Sequence, residues 1–343
     1  MSQKPKKILV GISMGNPNGI GPEIIIKTFE DKRMYDFFTV IVFGSSQILQ
    51  KVLNYYKSPT KIRSIGDDNK VLNHTLNVFE VGDHQEFQWQ VGQSNTESGR
   101  MAVLALEEAT HVLNHNKIHC LVTAPIDKQS SYSEDFPYAG HTEYLKDFFN
   151  QETLMMMVSE NLKVALVTEH VSLSEIPQLI TKERIHQKLD LLLQSLKQDF
   201  AIHRPKVAVL GLNPHSGDNG VMGSEEIDAI SPVIKEYRNN EAFVFGPFSA
   251  DGFFASGKHR QYDATLAMFH DQGLIPFKAL SFGSGVNFTA GLDKVRTSPD
   301  HGTAFDIAGK NKANANSFRE ALFIGRQVYH NRLDYLSMKS NSD

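Results

Sequence analysis

Short apolar runs alternate with longer amphipathic stretches along this chain. Residues 8–13, 38–43 and 120–124 are largely apolar runs, and each is followed by a glycine or proline within a few residues. Such runs predict buried strands. Residues 96–113 repeat apolar side chains near helical spacing, which predicts a long helix before the third strand. Strands that alternate with helices indicate an α/β fold with a largely parallel sheet.

The second half of the chain continues the alternation with one exception. Residues 154–158 and 164–167 are apolar runs separated by a short connection, and they predict a hairpin-like pair of strands. Residues 181–200 predict the longest helix. Its core-facing stripe consists of Ile185, Leu189, Leu192, Leu193 and Leu196. Further elements are predicted at 207–212 (strand), 262–269 (strand) and 317–328 (closing helix).

Composition limits the classes of protein that fit this pattern. The 343 residues are 41% hydrophobic and 22% charged, with a net charge of −4 and no long basic run. Non-specific binding to nucleic acid or to a membrane is therefore not indicated. No segment approaches the ~20 apolar residues of a membrane span, and the N-terminus lacks a secretory cleavage pattern. The single cysteine, Cys120, is interpreted as a core residue in a reducing compartment, so we expect a soluble cytoplasmic protein.

Three histidines each follow an apolar run directly. They are His170 in VALVTEH, His215 in VLGLNPH and His270 in ATLAMFHDQG. Ligands gather at the carboxyl ends of strands in parallel α/β sheets, and imidazole binds zinc-like divalent ions well. Spacing alone leaves two interpretations open. The histidines either share a metal site with an open position for substrate, or they are unrelated polar loop residues among the chain's 14 histidines.

A second polar cluster lies between residues 271 and 300. Lys278, Asn287 and Arg296 lie in and around the glycine-rich stretch FGSGVNFTAG. Two cations, an amide and backbone N–H groups can form a cradle for a phosphate. A glycine-bent edge strand with solvated charges fits the same local pattern equally well.

Residues 140–143 precede a helix predicted over residues 143–149. Thr142 is expected there as an ordinary N-cap, whose hydroxyl accepts from a backbone N–H of the first turn. A helix N-terminus also attracts anions, so a ligand-binding role stays open at this point.

The glycine-rich turn at residues 15–21 does not fit G-x-G-x-x-G, so a classical dinucleotide fingerprint is absent. A bound NAD would have to use another segment. The better candidate is the stretch that contains His301, Asp306 and Asn314, in which Asp306 can accept from ribose hydroxyls and so favours NAD over NADP.

Motif segments that cover nearly the whole chain, in order, carry a resemblance to a known family. They are GNPNGIGPE (15–23), LVTAPIDK (121–128), GHTEYL (140–145), LVTEHVSLSEIP (166–177), GLNPHSGDNGVMGSEEIDAI (211–230), GPFSADGFF (246–254), YDATLAMFHDQGLIPFK (262–278) and FGSGVNFTAGLDKVRTSPDHGTAFDIAGKNKA (282–313). The chain resembles the bacterial 4-hydroxythreonine-4-phosphate dehydrogenases of pyridoxal 5'-phosphate (vitamin B6) biosynthesis. Two positions depart from the family's usual pattern: Asn16 stands where an acidic residue is common, and Gly252 where threonine is usual.

The resemblance implies an architecture. The fold would be like that of the isocitrate and isopropylmalate dehydrogenases, not a Rossmann fold, with two intertwined α/β domains and a central cleft. Residues 1–137 plus 297–343 would form the cofactor-side domain, and residues 138–296 the substrate, metal and dimerisation domain. The protein would be a homodimer with its active site at the subunit interface, where His270 would complete the site of the partner chain.

The resemblance also implies roles for individual residues. The metal ligands would be His170, His215 and His270, for zinc, magnesium, cobalt or manganese. The substrate-binding residues would be His141, Thr142, Lys278, Asn287 and Arg296. Asp251 and Lys278 would act in catalysis, with Asp251 either assisting proton transfer or orienting a metal-bound water. The positions for NAD or NADP would be His301, Asp306 and Asn314.

The implied reaction is the oxidation of 4-phosphooxy-L-threonine at C3 to a β-keto acid, which decarboxylates to 3-amino-2-oxopropyl phosphate. Three alternatives remain open. Relatives with similar motifs oxidise 4-phospho-threonate or 4-phospho-erythronate in sugar-acid catabolism, and no residue here decides between these substrates. Phosphate acyltransferases share the fold, although acyl transfer needs no set of three metal-binding histidines. A non-catalytic sensor of a small ligand would bind without reducing NAD.

Overall fold

The computed structural model describes residues 7–65, 70–82 and 87–340. These residues belong to two compact units. Unit 1 takes its residues from Met1–Asn150 and Asp293–Tyr329, and unit 2 from Gln151–Leu292 and His330–Asp343. The domain boundaries predicted from the sequence, at 137/138 and 296/297, lie near these positions and stay a prediction.

The described strands follow one another along the chain as short, largely buried segments. They are β1 (Ile8–Ser13), β2 (Phe38–Gly44), β3 (Ile62–Ile65), β4 (Leu76–Glu80), β5 (Cys120–Thr123), β6 (Leu154–Val158), β7 (Lys163–Leu166), β8 (Lys206–Leu210), β9 (Phe243–Phe248), β10 (Ala264–Ala267), β11 (Val286–Ala290) and β12 (Arg296–Pro299).

The described helices connect these strands. They are α1 (Gly21–Glu30), α2 (Met34–Phe37), α3 (Ser46–Tyr56), α4 (Thr96–Asn114), α5 (Lys128–Ser131), α6 (His141–Phe149), α7 (Ile176–Leu179), α8 (Lys182–Gln198), α9 (Ser231–Asn239), α10 (Ala250–Ala255), α11 (His270–Ser281) and α12 (Asn316–Ser340). A short 3-10 segment occurs at Lys258–Gln261, and a tight loop with left-handed backbone angles occupies Pro214–Gly220. A π-helical turn at Glu226–Ile230 leads into α9.

Unit 1 is built on parallel strands in the order β3-β4-β2-β1-β5-β12. The register pairs Ser13 of β1 with Thr123 of β5, and Arg296 of β12 with Leu121 of β5. The carboxyl ends of β1 and β5 are therefore side by side. The segments that follow them stay together, because Asn16 donates its backbone N–H to the carbonyl of Pro125 at 2.9 Å.

Unit 2 is built on a mixed set of strands in the order β11-β6-β7-β10-β8-β9. The hairpin-like pair predicted from the sequence is confirmed, since β6 and β7 run antiparallel with Met156 opposite Ala165. β10 runs parallel to both of its neighbours, β7 and β8. α11 covers this part of the sheet and buries Phe277 and Leu274 against side chains of β6, β7, β8 and β10.

Local sequence explains where several helices begin. α4 begins after Asn95, whose side chain accepts from the Ser98 N–H at 2.8 Å while the Ser98 hydroxyl accepts from the Asn95 N–H at 3.3 Å. This reciprocal pair is a capping box. α8 begins after Thr181, whose hydroxyl accepts from the Arg184 N–H at 3.3 Å. Both caps satisfy N–H groups that a first helical turn leaves without intrahelical partners.

Two expectations about helices are wrong. Thr142 is not an N-cap, because α6 begins at His141 after Gly140, and no side-chain cap is formed there. The longest described helix is α12, with 25 residues, and not the helix near residues 181–200, where α8 has 17. α12 was underestimated because its last turns are mostly exposed, so they lack the apolar periodicity that marks a helix in sequence. No helix in the described part of the chain combines the length and apolar character needed to cross a bilayer.

Candidate active site

Three neighbouring strands place the three histidines at one edge of the sheet of unit 2. His170 follows β7, His270 follows β10 and His215 follows β8. Because β10 pairs in parallel with both β7 and β8, the segments that carry these histidines all leave the sheet at the same edge. The rings of His170 and His270 have their centroids 5.7 Å apart. The structure thus brings two of the predicted metal ligands directly together.

The ring of His270 is held in a defined orientation. His270 is the first residue of α11, and its Nδ1 lies 2.7 Å from Oδ1 of Asp271. A histidine that binds a metal usually has its other ring nitrogen hydrogen-bonded to a carboxylate or carbonyl, which fixes the ring and its tautomer. In this arrangement Nε2 is the nitrogen that would face a metal ion.

Polar contacts that were not predicted from the sequence join the segments that follow the three strands. The Thr168 hydroxyl donates to the Met268 carbonyl at 2.8 Å. Gln272 accepts from the Met268 N–H at 2.8 Å and donates to the Gly211 carbonyl at 2.6 Å. Because Met268, Thr168 and Gly211 follow β10, β7 and β8, these contacts set the spacing of the loops that carry the histidines.

His215 lies on a tight loop with an unusual backbone. His215, Ser216, Gly217, Asp218 and Asn219 all have positive φ angles, between 43° and 78°. A left-handed conformation costs about 1–2 kcal/mol for each residue other than glycine, so surrounding contacts must stabilise the loop.

The buried carboxylate of Glu226, which is 3% exposed, holds the start of this loop. It accepts from the backbone N–H of Asn213 at 2.7 Å and from its side-chain amide at 3.0 Å. A Cβ atom on Gly217 would lie 2.7 Å from Oε2 of Glu226. The close approach and the positive φ together explain why glycine stands at this position.

Asp251 lies near His215, on the first turn of α10. The Ser249 hydroxyl donates to Oδ1 of Asp251 at 2.5 Å. That hydrogen bond, the Gly252 N–H and the charge of His215 lower the pKa of Asp251 below its ordinary value. Asp251 is therefore an ionised carboxylate at neutral pH.

Within the described residues, no group of three or more histidine, cysteine, aspartate or glutamate side chains is arranged to hold a metal ion. His170 and His270 form a pair, and His215 does not join them in one such group within a single protomer. The donor chemistry nevertheless fits a borderline divalent ion, since the pair consists of imidazoles and one of them is oriented by a carboxylate. The three-histidine metal site stays a prediction.

Unit 1 contains a buried cation. Arg296 at the start of β12 is 1% exposed, and its Nε and Nη2 both donate to the Thr123 hydroxyl, at 3.2 and 2.6 Å. Burial lowers the pKa of Arg296 to about 9. Thr123 was not predicted as a site residue, although a threonine at the end of an apolar strand is a signal that could have identified it.

His141 lies close enough to Arg296 for their charges to interact. Burial, followed by the charge of Arg296, lowers the pKa of His141 well below its ordinary value, so the imidazole is neutral. Its Nε2 is buried and has no hydrogen-bond partner among the described residues. Thr142 follows in the first turn of α6. A buried guanidinium, a neutral imidazole and a helix N-terminus thus converge, and together they can receive an anion.

Lys278 and Asn287, the other predicted substrate-binding residues, belong to unit 2. Lys278 is exposed on α11. Asn287 lies on β11 opposite Met157, and its Oδ1 is buried with no hydrogen-bond partner among the described residues. A buried polar atom without a partner is costly to a protein unless a ligand or water satisfies it. Asn287 is therefore suited to accept a hydrogen bond from a bound molecule.

The predicted cofactor residues lie in unit 1, between β12 and the start of α12. Asp306 is exposed. His301 has Nδ1 3.2 Å from the Gly302 carbonyl, and its Nε2 is buried with no hydrogen-bond partner among the described residues. Asn314 accepts from the Asn316 N–H at 2.9 Å, at the beginning of α12. Asn314 thus has a structural function, whatever its part in cofactor binding.

These strands and helices define an α/β protein with polar side chains at the carboxyl ends of its strands. A family profile described as "Pyridoxal phosphate biosynthetic protein PdxA" matches residues 36–325. The chain is 42% identical to a 4-hydroxythreonine-4-phosphate dehydrogenase of Bacteroides thetaiotaomicron, over 95% of this chain and 90% of the relative. It is 35% identical to a Halalkalibacterium halodurans protein named provisionally as a D-threonate 4-phosphate dehydrogenase, over 92% of this chain and 96% of the relative. The chain belongs to the PdxA family.

Solved structures agree on the fold. A 4-hydroxythreonine-4-phosphate dehydrogenase from Klebsiella pneumoniae aligns with a TM-score of 0.81 and 33% identity, covering 95% of this chain and 99% of that one. A terephthalate 1,2-cis-dihydrodiol dehydrogenase from Burkholderia xenovorans aligns with a TM-score of 0.62 and 21% identity, over 94% and 98% of the two chains, and supports the fold alone. The predicted α/β fold and the predicted family are confirmed.

Proposed function

We propose that this protein is a metal-requiring, NAD- or NADP-dependent dehydrogenase that oxidises 4-phosphooxy-L-threonine at C3, a step of pyridoxal 5'-phosphate biosynthesis. The family supports dehydrogenase activity. The observation that carries the choice of a phosphorylated substrate is the buried guanidinium of Arg296 beside the neutral ring of His141. A desolvated cation of this kind gains most from a bound anion, because water does not screen the interaction.

In this proposal Arg296 binds the substrate phosphate by charge-assisted hydrogen bonds. Thr123 holds one edge of the guanidinium and so fixes the plane in which it donates. His141 donates from its neutral ring, and the N–H groups of the first turn of α6, including that of Thr142, face the same anion. Lys278 and Asn287 stay candidates for binding the substrate's other polar groups.

We propose that His170, His215 and His270 would hold the divalent metal, which could be zinc, magnesium, cobalt or manganese. When bound, the metal would polarise the C3 hydroxyl of the substrate, and the nicotinamide would accept the hydride from C3. Asp251 is ionised and lies near His215, where it would either take the hydroxyl proton or orient a water molecule. The adenosine part of the cofactor would lie on the stretch that contains His301, Asp306 and Asn314.

The oxidation removes a hydride from C3 and a proton from its hydroxyl, leaving a ketone β to the carboxylate. The C–C bond to that carboxylate then breaks, CO2 leaves, and the ketone accepts the electron pair. Protonation gives 3-amino-2-oxopropyl phosphate. In this proposal the chain's own residues would bind the phosphate and orient C3, and Asp251 would take the hydroxyl proton or orient a water molecule.

We propose that the active unit is a homodimer whose interface includes the loops that carry the histidines. In unit 2, large apolar side chains are exposed on these loops, on the π-helical turn Glu226–Ile230, and on α11 and its C-terminal end. They are Val171, Leu173, Val221, Met222, Ile227, Ile275, Leu280 and Phe282, the last of which is 89% exposed. Apolar surface of this kind, concentrated on a few segments, marks an interaction surface. A partner protomer on it would allow ligands from both chains to form one metal site.

The alternative substrate is 4-phospho-threonate or 4-phospho-erythronate, in which a hydroxyl replaces the amine at C2. The chain is 35% identical to the relative that is named provisionally as a D-threonate 4-phosphate dehydrogenase, and this similarity supports the alternative substrate. Steady-state rates of NAD and NADP reduction with both classes of substrate would decide. A clear preference for the sugar-acid phosphate would contradict the assignment to pyridoxal phosphate biosynthesis.

We place the protein in the cytoplasm, where its buried free thiol, Cys120, fits a reducing environment.

The metal assignment is tested by His215→Ala. We expect kcat to fall by about 100-fold or more, because loss of a ligand removes the polarisation of the hydroxyl. Metal content, measured on the purified protein, should fall with it. His203→Ala is the matched control, since His203 is an exposed histidine of the same unit that follows no strand end. Full activity of His215→Ala, or activity of the wild type after complete chelation, would contradict the proposed mechanism.

A further inference from the structure

The GNPNGIGPE motif (15–23) does not match a dinucleotide fingerprint, yet it packs against the stretch that is predicted to bind the cofactor. The Ile20 N–H donates to the Thr303 carbonyl at 3.0 Å. A Cβ atom on Gly19 would lie 2.9 Å from the same carbonyl oxygen, so only glycine allows this approach. The turn therefore supports the segment that follows β12.

The same motif ends in Glu23, whose side chain is 1% exposed. Oε1 of Glu23 accepts from the Ala313 N–H at 3.2 Å and from Nζ of Lys27 at 2.7 Å. Nζ of Lys27 also donates to the Ala313 carbonyl at 3.0 Å. Both polar groups of the Ala313 backbone are thus bound by the ion pair of Glu23 and Lys27.

Tyr56 extends the contact to a second point of the loop. Its hydroxyl donates to Oε2 of Glu23 at 2.7 Å and accepts from the Gly309 N–H at 3.0 Å. Burial and the hydrogen bond to Glu23 raise the pKa of Tyr56, so the hydroxyl keeps the proton that it donates. Glu23 therefore holds the loop at Ala313 directly and at Gly309 through Tyr56.

The residues between these two anchors form an exposed, basic tip. Lys310, Asn311 and Lys312 are all exposed. Gly309 and Asn311 have φ angles of 77° and 57°, in the left-handed region. A short tip in this conformation keeps its shape only when its ends are held. Asp306, the predicted ribose-binding residue, lies just before it.

We propose that Glu23 is a positioning residue for the nicotinamide cofactor, acting through Tyr56 and Lys27 to hold the loop 309–313 in its binding conformation. The inference rests on the dehydrogenase function proposed above. In this proposal the GNPNGIGPE motif supports the loop 309–313 and does not contact the pyrophosphate of the cofactor directly.

A tryptophan close to this loop can serve as a fluorescence reporter of cofactor binding. Trp89 is the single tryptophan of the sequence. Its Nε1 donates to the Pro17 carbonyl at 3.0 Å, and its ring meets the edge of Tyr55 at 5.6 Å between centroids. The Tyr55 hydroxyl donates to the Gly309 carbonyl at 2.9 Å. Energy transfer from Trp89 to the reduced nicotinamide ring of NADH or NADPH therefore measures binding without turnover.

The test is Glu23→Gln, with Tyr56→Phe as a second variant that leaves the Glu23–Lys27 pair in place. We expect the Kd for the reduced cofactor, measured by energy transfer from Trp89, to rise about 10-fold or more in Glu23→Gln, the fold-change of one weakened charged hydrogen bond. Tyr56→Phe should raise it by a smaller factor. The KM for the phosphorylated substrate should stay close to that of the wild type in both. Glu30→Gln, an exposed carboxylate at the end of the same helix, is the matched control and should bind normally.

The outcomes separate the inference from the function on which it rests. If both folded variants bind reduced cofactor as tightly as the wild type, Glu23 does not position the loop, and the dehydrogenase proposal stands. If the wild type binds neither NADH nor NADPH, the proposed function fails and the inference fails with it. If Glu23→Gln does not fold, Tyr56→Phe decides, and unchanged cofactor affinity in that variant overturns the inference.

Discussion

Arg296→Met is expected to abolish turnover of the phosphorylated substrate and to leave the fold intact. Removing one member of a buried charge pair costs about 2–5 kcal/mol of binding free energy, so kcat/KM should fall by about 1000-fold. Stability should change little, by about 1–2 kcal/mol in either direction, because an apolar side chain of similar length replaces a cation that burial penalises. Steady-state kinetics and urea unfolding measure the two effects separately.

Two further variants make this prediction specific. Thr123→Val keeps the volume of the side chain but removes the acceptor of both guanidinium hydrogen bonds, so KM should rise by a smaller factor than in Arg296→Met. Arg100→Met removes an exposed arginine of the same unit and should change nothing. Inorganic phosphate should raise the Tm of the wild type and not that of Arg296→Met. A normal KM in Arg296→Met would show that the phosphate binds elsewhere.

The sequence predicted the elements of the fold well because their signals are local. The apolar runs that became β6 and β7 lie close together in the chain, so their antiparallel pairing could be anticipated. The start of α6 was misjudged because capping preferences favour threonine over glycine, and here the extended backbone of Gly140 ends the preceding loop. Local preferences decide such boundaries only when tertiary contacts do not oppose them.

The sequence indicated several residues of the candidate site, but it did not indicate which other residues they contact. Arg296 was singled out as a cation near glycines, but its partner Thr123 is 173 positions away and meets it only because β12 pairs with β5. The buried carboxylate of Glu226 accepts from the backbone N–H of Asn213, at the start of the His215 loop, and no local pattern in the sequence indicates this contact. Contacts of this kind depend on strand order and register, which periodicity does not specify.

Ile275→Asp is expected to separate the proposed homodimer into folded, inactive protomers. Ile275 is 66% exposed on α11, between His270 and Lys278. In an isolated protomer a surface substitution usually changes stability by no more than about 0.5 kcal/mol. At a buried apolar interface, the same carboxylate would lose its hydration without a partner, at a cost of several kcal/mol. Sedimentation equilibrium and NAD reduction should therefore show loss of assembly and loss of activity together.

Controls identify the interface more closely. Phe282→Asp should act in the same way, and aspartate tolerates the φ of 48° found there better than phenylalanine does. Tyr132→Asp changes a residue of unit 1 that is 64% exposed and should leave both assembly and turnover unchanged. If Ile275→Asp sediments as a dimer with full activity, α11 lies outside the interface.

Mixing two inactive variants tests whether the metal site is shared between protomers. If His270 of one chain completes a site that contains His215 of the other, a dimer of His215→Ala with His270→Ala contains one site with every ligand intact. Activity should then reappear after the two proteins are unfolded together and refolded. If both histidines serve the same protomer's site, every site in the mixture lacks a ligand and no activity returns. That result would refute the shared site and would require His215 to approach His170 and His270 within one chain.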